Sequence, residues 1–197
     1  MTTIIYLHGF LSSPQSVKAQ QTIDYANKHH PDVDMLVPQI PNTIDVAVSY
    51  LESVIDKHFI KPSKPLLCIG SSMGGFLSNW LLEKYSDKPD GKAVLVNPAV
   101  APYNLMQDYL GEHTNPYSQE RFCVDAHHID VLRQLESVKV SNPSRYKLLL
   151  QTGDEVLNYQ LAESRYKGAS IHIEQGGDHS FVDYHQHLGD VFRFLLS

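Results

Sequence analysis

Leu66-Leu67-Cys68-Ile69-Gly70-Ser71-Ser72-Met73-Gly74-Gly75-Phe76 passes from an apolar run, through a glycine- and serine-rich turn, directly into an apolar helical pattern. That order reads as strand, sharp turn, helix, with Ser72 at the apex and Gly70 and Gly74 two residues to either side. The G-x-S-x-G spacing has a steric cause: the apex residue takes a strained backbone conformation, and side chains at the flanking positions would collide across the turn. Ser71 has Ile69 and Met73 at those offsets, so Ser72 is the candidate nucleophile. A phosphate-cradling loop would need Lys-Ser or Lys-Thr after its last glycine, where this chain has Gly75-Phe76, and G-x-G-x-x-G is not matched.

Upstream, Thr3–Leu7 is an apolar β-prone run ending at His8-Gly9-Phe10. Ser13-Pro14 reads as a helix cap and first helical position, predicting a helix over about Pro14 to Lys28. Asp34–Val37 predicts a second strand, stopped by Pro38 and Pro41. Asn42 is the expected cap of the next helix, with Ile44, Val48, Leu51 and Ile55 on one face; Pro62 and Pro65 close that connection. Downstream of the turn, Phe76, Leu77, Trp80, Leu81 and Tyr85 form one apolar stripe, and Lys92–Val96 is a strand ended by Asn97-Pro98. Beyond residue 145 the pattern predicts strands at Tyr146–Gln151 and Ser170–Glu174, a helix near Tyr159 to Tyr166, and a final helix with Leu188, Val191, Phe192 and Leu195 on one face.

Each strand is a near-continuous apolar run, and strands alternate with helices. That is the signature of a parallel sheet covered on both faces. Residues 99–145 interrupt the alternation with Tyr103, Leu105, Met106, Tyr109, Tyr117 and Phe122 among polar residues, Pro102 and Pro116, and weak helical periodicity. The expectation is one α/β domain over 1–197: a doubly wound, mostly parallel sheet of about six strands, with a small cap-like insertion after the fourth. The aromatic residues of that insertion either line a pocket or pack it onto the core.

With 22 acidic against 16 basic residues the net charge is −6, and no basic run is present, which argues against nucleic acid or an anionic membrane as partner. No apolar stretch approaches the ~20 residues that cross a bilayer. Met1-Thr2-Thr3-Ile4 lacks the basic flank of a signal peptide. Cys68 and Cys123 suggest no disulfide framework, so the expected compartment is the cytoplasm.

Ligands of an open parallel sheet bind outside the carboxyl ends of its strands. The loops leaving those ends hold His8-Gly9-Phe10, the Ser72 turn, Thr152-Gly153-Asp154-Glu155-Val156, and Gly176-Gly177-Asp178-His179-Ser180. The chain order Ser72, Asp154, His179 is that of α/β-hydrolases. Serine is a weak nucleophile until a base accepts its proton, and a carboxylate must hold that base in the right tautomer. His179 is the expected base and Asp154 its orienter, because Asp154 follows the penultimate strand; Glu155, Asp178 and Asp183 are the rival carboxylates. His172, His185 and His187 suit packing or solvent roles, and His8 a structural role near the site. Adjacent His127 and His128 have no further ligand at metal-binding spacing, so no metal or cofactor is expected.

The chain resembles α/β-hydrolases and, more narrowly, the small bacterial YqiA-type esterases. The likeness lies in Tyr6-Leu7-His8-Gly9-Phe10, the Gly70–Gly75 elbow, Asn97-Pro98-Ala99-Val100 and Gln151–Leu157. It implies a compact α/β-hydrolase fold without leading antiparallel strands. It also implies a serine hydrolase that cleaves a small-molecule acyl ester through an acyl-enzyme, with backbone N–H groups of Phe10 and Met73 as oxyanion donors. The rivals are thioester hydrolysis on the same triad, a non-catalytic small-molecule-binding member of the fold, and lyase or perhydrolase chemistry on the same scaffold.

Overall fold

The computed structural model describes residues 2–59, 64–88, 90–136 and 139–197. The first part of the chain forms β1 (Thr2–Leu7), α1 (Val17–His29), β2 (Val33–Leu36), α2 (Ile44–His58), β3 (Leu67–Ser71) and α3 (Met73–Lys84). Then come β4 (Lys92–Val96), α4 (Pro102–Met106), β5 (Gly111–Thr114), β6 (Arg121–Val124) and α5 (Ala126–Glu136). The alternation resumes with β7 (Tyr146–Gln151), α6 (Tyr159–Arg165), β8 (Ser170–Glu174) and α7 (Leu188–Leu196). Pro62, expected to close the connection into β3, lies outside the described residues.

Six strands form one parallel sheet in the order β2-β1-β3-β4-β7-β8. This is the doubly wound arrangement the sequence predicts, and the strand order reverses between β1 and β3. Successive side chains of a strand point to opposite faces, and both faces are apolar. Ile5, Leu7, Cys68, Leu95 and Leu148 enter the core shared with α2 and α3. Ile4, Tyr6, Ile69, Val94, Val96 and Leu149 enter the core shared with α1 and α7. Fully burying each such side chain contributes about 1.5–3 kcal/mol, which is why these strands read as unbroken apolar runs. The helix α3 is buried all round from Gly74 to Glu83, not along a stripe, because it is overlain as well as underlain. Among the described residues, no helix is long and apolar enough to cross a membrane. Cys68 and Cys123 are both free, one buried and one exposed.

Three local expectations need correction. The helix α1 begins at Val17 with Ser16 at its cap. Ser13 instead closes a separate turn, accepting from the Gln15 N–H (3.0 Å) and holding its amide oxygen (2.9 Å). Asn42 does not cap α2; Thr43 precedes its first turn. The Asn42 side chain is drawn away to Asn115 Nδ2 and Glu120 Oε2, both at 2.7 Å. Finally, residues 99–136 hold an antiparallel hairpin, β5 with β6, in the register Gly111↔Val124 to Thr114↔Arg121. Its strands have four residues each, too short for alternation to stand out before docking decides that Phe122 and Val124 face inward.

Candidate active site

The turn after β3 is built as its glycines demand. Ser72 sits at φ 55°, ψ −121°, at the N-terminus of α3. A Cβ on Gly70 would stand 2.3 Å from Gly74 O, and one on Gly74 would stand 1.9 Å from Leu7 O. Both glycines are therefore required by close approach, the first across the turn and the second against β1. The Ser72 N–H donates to Val96 O (3.0 Å) and its carbonyl accepts from Ala99 N (3.1 Å), so the strained residue is tied to the end of β4 and to the loop that follows it.

The loops after β7 and β8 meet this turn. Ser72 Oγ lies 3.0 Å from His179 Nε2, and His179 Nδ1 lies 2.9 and 3.0 Å from Asp154 Oδ2 and Oδ1. The Asp154 carboxyl is 2% exposed and its Oδ1 also accepts from the N–H groups of Val156 (2.9 Å) and Leu157 (2.8 Å). The rival carboxylates are occupied elsewhere. Glu155 accepts the backbone N–H of His179, Asp178 accepts from Ser180, and Asp183 starts the short helical turn Tyr184–His187 in a left-handed conformation.

Residues that sequence reasoning passed over hold these loops. Gln151, 2% exposed at the end of β7, uses both ends of its amide. Its Oε1 accepts from Asp178 N (3.2 Å) and Val182 N (2.9 Å), while its Nε2 donates to Glu174 Oε2 and Val182 O (both 2.9 Å). Asn97, at φ 39°, accepts from Gln151 N (3.0 Å) and donates to Asp178 O (3.0 Å). In the sequence each is a polar residue closing an apolar strand, within a stretch shared with the YqiA-type esterases. Lys18 of α1 donates to Ser180 O (2.5 Å). Burial lowers its ammonium to about 8, against the opposing pull of Asp178 and Asp154.

The loop after β1 lies on the other side of Ser72, where a Cβ on Gly9 would be 3.3 Å from Ser72 Cβ. His8 shapes it: Nε2 accepts the Ile40 N–H (3.1 Å), so Nδ1 carries the proton towards Gly9 O (2.9 Å). Burial lowers the His8 pKa and keeps this tautomer neutral, the raising effect of the Gly9 carbonyl being the smaller influence. Among the described residues, no hydrogen bond uses the N–H of Phe10 or Met73. Both residues line a narrow apolar slot of about 40 Å³ with Leu77, Met106, Val124 and Leu132. Ser72 and His179 open onto a cleft of about 690 Å³ walled by Lys18, Tyr117, Glu155 and Phe181, and Phe10 stands between the two, lining both.

The segment over the site is held by Phe10, whose ring meets Tyr109 and Phe122 edge-on at 5.5 and 5.8 Å. His128 does not pair with His127 around a common point. Its Nδ1 accepts from Asp125 N (3.0 Å) and its Nε2 stands 3.3 Å from Asp45 on α2.

The fold recurs in solved hydrolases. Est1E from Butyrivibrio proteoclasticus with ferulic acid bound superposes with a TM-score of 0.74 at 14% identity, over 100% of this chain and 88% of that one. Monoacylglycerol lipase from Paleococcus ferrophilus gives 0.67 at 14%, over 98% and 94%. An alpha/beta superfamily hydrolase from Oenococcus oeni PSU-1 gives 0.64 at 16%, over 100% and 94%. At such identities the likeness is one of fold. The model of the Uncharacterised protein family (UPF0227) matches residues 3–196, nearly the whole chain, so this α/β-hydrolase-fold protein belongs to that family.

Proposed function

We propose that the protein is a serine hydrolase that cleaves small carboxylic esters through an acyl-enzyme, within a single domain capped by residues 99–145. The observation that carries this reading is the unbroken chain of contacts from Ser72 Oγ to His179 to a buried Asp154 at 2.9–3.0 Å. Ser72 Oγ attacks the acyl carbon while His179 Nε2 takes its proton, and Asp154 holds the imidazole and stabilises the imidazolium. The carbonyl oxygen becomes an oxyanion that accepts the N–H groups of Phe10 and Met73, the latter at the positive end of α3. Losing one such donor typically costs ~3 kcal/mol of transition-state stabilisation.

Collapse of that intermediate breaks the ester C–O bond, and His179 returns the proton to the departing alcohol. Water then gives a proton to His179 and attacks the acyl carbon; His179 passes that proton to Ser72 Oγ as the bond between the serine oxygen and the acyl carbon breaks, which releases the acid and restores Ser72. The leaving group must depart on the His179 side, so the wide cleft receives the alcohol and the narrow slot beside Phe10 and Met73 receives a short acyl group. Est1E from Butyrivibrio proteoclasticus, seen with ferulic acid bound, has the same fold.

The test is mass-spectrometric mapping of a fluorophosphonate adduct beside hydrolysis of p-nitrophenyl esters of graded acyl length. The expected result is stoichiometric labelling of Ser72, lost in His179→Ala, with turnover highest for short acyl groups. An unlabelled Ser72 in folded protein would return the chain to the binding-module reading.

A further inference from the structure

His172 and Glu174 stand at i and i+2 of β8, so both side chains leave the same face of that strand. The strand is the edge of the sheet, and the turn Tyr184–His187 comes back over it. His187 Nε2 lies 3.0 Å and His172 Nε2 3.3 Å from the same oxygen, Glu174 Oε1. All of these donor atoms fall within 4.8 Å of one another. The other carboxylate oxygen, Oε2, is held by Gln151 Nε2 at 2.9 Å, which leaves Oε1 turned to the imidazoles. The His187 ring is braced edge-on by Phe181 at 5.4 Å. Nothing in the spacing of His172 and His187 along the chain joins them, and packing or solvent roles are what it suggests; the fold brings them together.

We propose that His172 Nε2, Glu174 Oε1 and His187 Nε2 bind one divalent transition-metal ion of the Zn²⁺, Co²⁺ or Ni²⁺ class, with water completing the coordination. Nitrogen and carboxylate ligands about 2.0–2.2 Å from a tetrahedral ion are separated by roughly 3.4 Å. The observed 3.0 and 3.3 Å separations need only slight opening to reach that spacing. Two imidazoles with one carboxylate suit borderline ions, whereas Ca²⁺ and Mg²⁺ prefer oxygen ligands throughout. The Gln151 bond supplies the outer contact that orients a ligating carboxylate. The His172 side chain is 48% exposed, which gives the ion a route in.

The site joins the two ends of one loop. Glu174 precedes and His187 follows the segment that carries His179, and Gln151 touches both Glu174 and the backbone of that segment. An ion here would tie the base of the His179 loop without taking part in ester chemistry. Ser72, Asp154 and His179 supply none of its ligands, so the proposal stands apart from the hydrolase reading.

The experiment uses the full chain without an affinity tag, titrated with Zn²⁺ by calorimetry and with Co²⁺ by visible absorption. One ion per chain and an intense four-coordinate Co²⁺ band are expected. The His172→Asn, His187→Gln double variant should lose at least about 10–100-fold in affinity, and His172→Asn alone, at an exposed edge position, should weaken binding in a protein whose circular dichroism is unchanged. Ser72→Ala should bind as the parent does. Absence of saturable binding, or affinity unchanged in the double variant, overturns the proposal; loss in Ser72→Ala also does, by moving the ion to the triad.

Discussion

At the strand ends, Ser72, Asp154 and the His179 loop are each held by hydrogen bonds that end on main-chain groups: Ser72 by Val96 and Ala99, Asp154 by the N–H groups of Val156 and Leu157, and the His179 loop by the Gln151 and Asn97 side chains on the backbone of Asp178 and Val182. The segment over them, residues 99–136, is held by side chains: the Asn115–Asn42 contact, Phe10 against Tyr109 and Phe122, and His128 beside Asp45. Hydrogen bonds anchored on the main chain fix atoms tightly, as the proposed proton transfer between Ser72 and His179 requires. Side-chain packing can change from residue to residue without disturbing that frame. On the proposed function this difference assigns reactivity to the strand ends and selection among substrates to the overlying segment, and the first three variants below should affect one without the other.

The largest effect is expected at Asp154. Asp154→Asn keeps the shape but favours the wrong imidazole tautomer, and kcat should fall by about 10⁴-fold. Because it acts on the base, all p-nitrophenyl esters should fall in the same proportion; a chain-length-dependent loss would break the proposed division. Gln151→Leu comes next. It removes the acceptor for Asp178 N and Val182 N and frees the His179 loop. Displacing a reacting group by about 1 Å costs roughly 10²-fold, so kcat should drop by about that factor with KM little changed. If folded protein keeps its kcat, Gln151 is not a positioning residue.

Met106→Ala probes the overlying segment. Met106 is 5% exposed and lines the slot, so the variant should be destabilised by ~2–5 kcal/mol. The informative quantity is the ratio of kcat/KM for longer over shorter acyl esters, which does not depend on the folded fraction. Each methylene newly buried should raise that ratio about fourfold, from ~0.8 kcal/mol per methylene. A ratio that stays constant would remove the slot from acyl recognition.

The smallest effect concerns His8, which lies between the two regions. Its imidazole is held below the ordinary value of 6.5 by burial. As pH falls through that value, the unfolded chain takes up a proton that the folded protein refuses, so stability falls until the lowered folded value is passed. His8→Leu should show a shallower acid decline in urea midpoint between about pH 7 and pH 5. Its baseline should be lower by ~1–3 kcal/mol, because the Ile40 N–H loses its acceptor. Equal slopes in the two proteins would mean that His8 does not titrate against folding.

Legibility in the sequence followed the strength of local pattern. The expected bounds of β4, β7 and β8 coincide with those observed, because a strand buried on both faces leaves an apolar run that polar or turn residues end abruptly. The start of α1 was misplaced because Ser13-Pro14 satisfies a local turn before the helix begins. Asn42 looks like a cap in the sequence because its partners, Asn115 and Glu120, lie more than seventy positions away. The hairpin β5–β6 carries too few residues for its period to show.

By itself the sequence determined the parallel sheet, the strained turn at Ser72 and the three residues that face one another across its strand ends. Periodicity, glycine sterics and the rule that loops at the carboxyl ends gather into one crevice are all local or topological. Only the tertiary structure decided what surrounds them: the roles of Gln151, Asn97 and Lys18, the slot under Phe10, and the meeting of His172, Glu174 and His187. Those contacts join side chains from separate elements, and their distances depend on how helices and loops pack, which no single stretch of chain encodes.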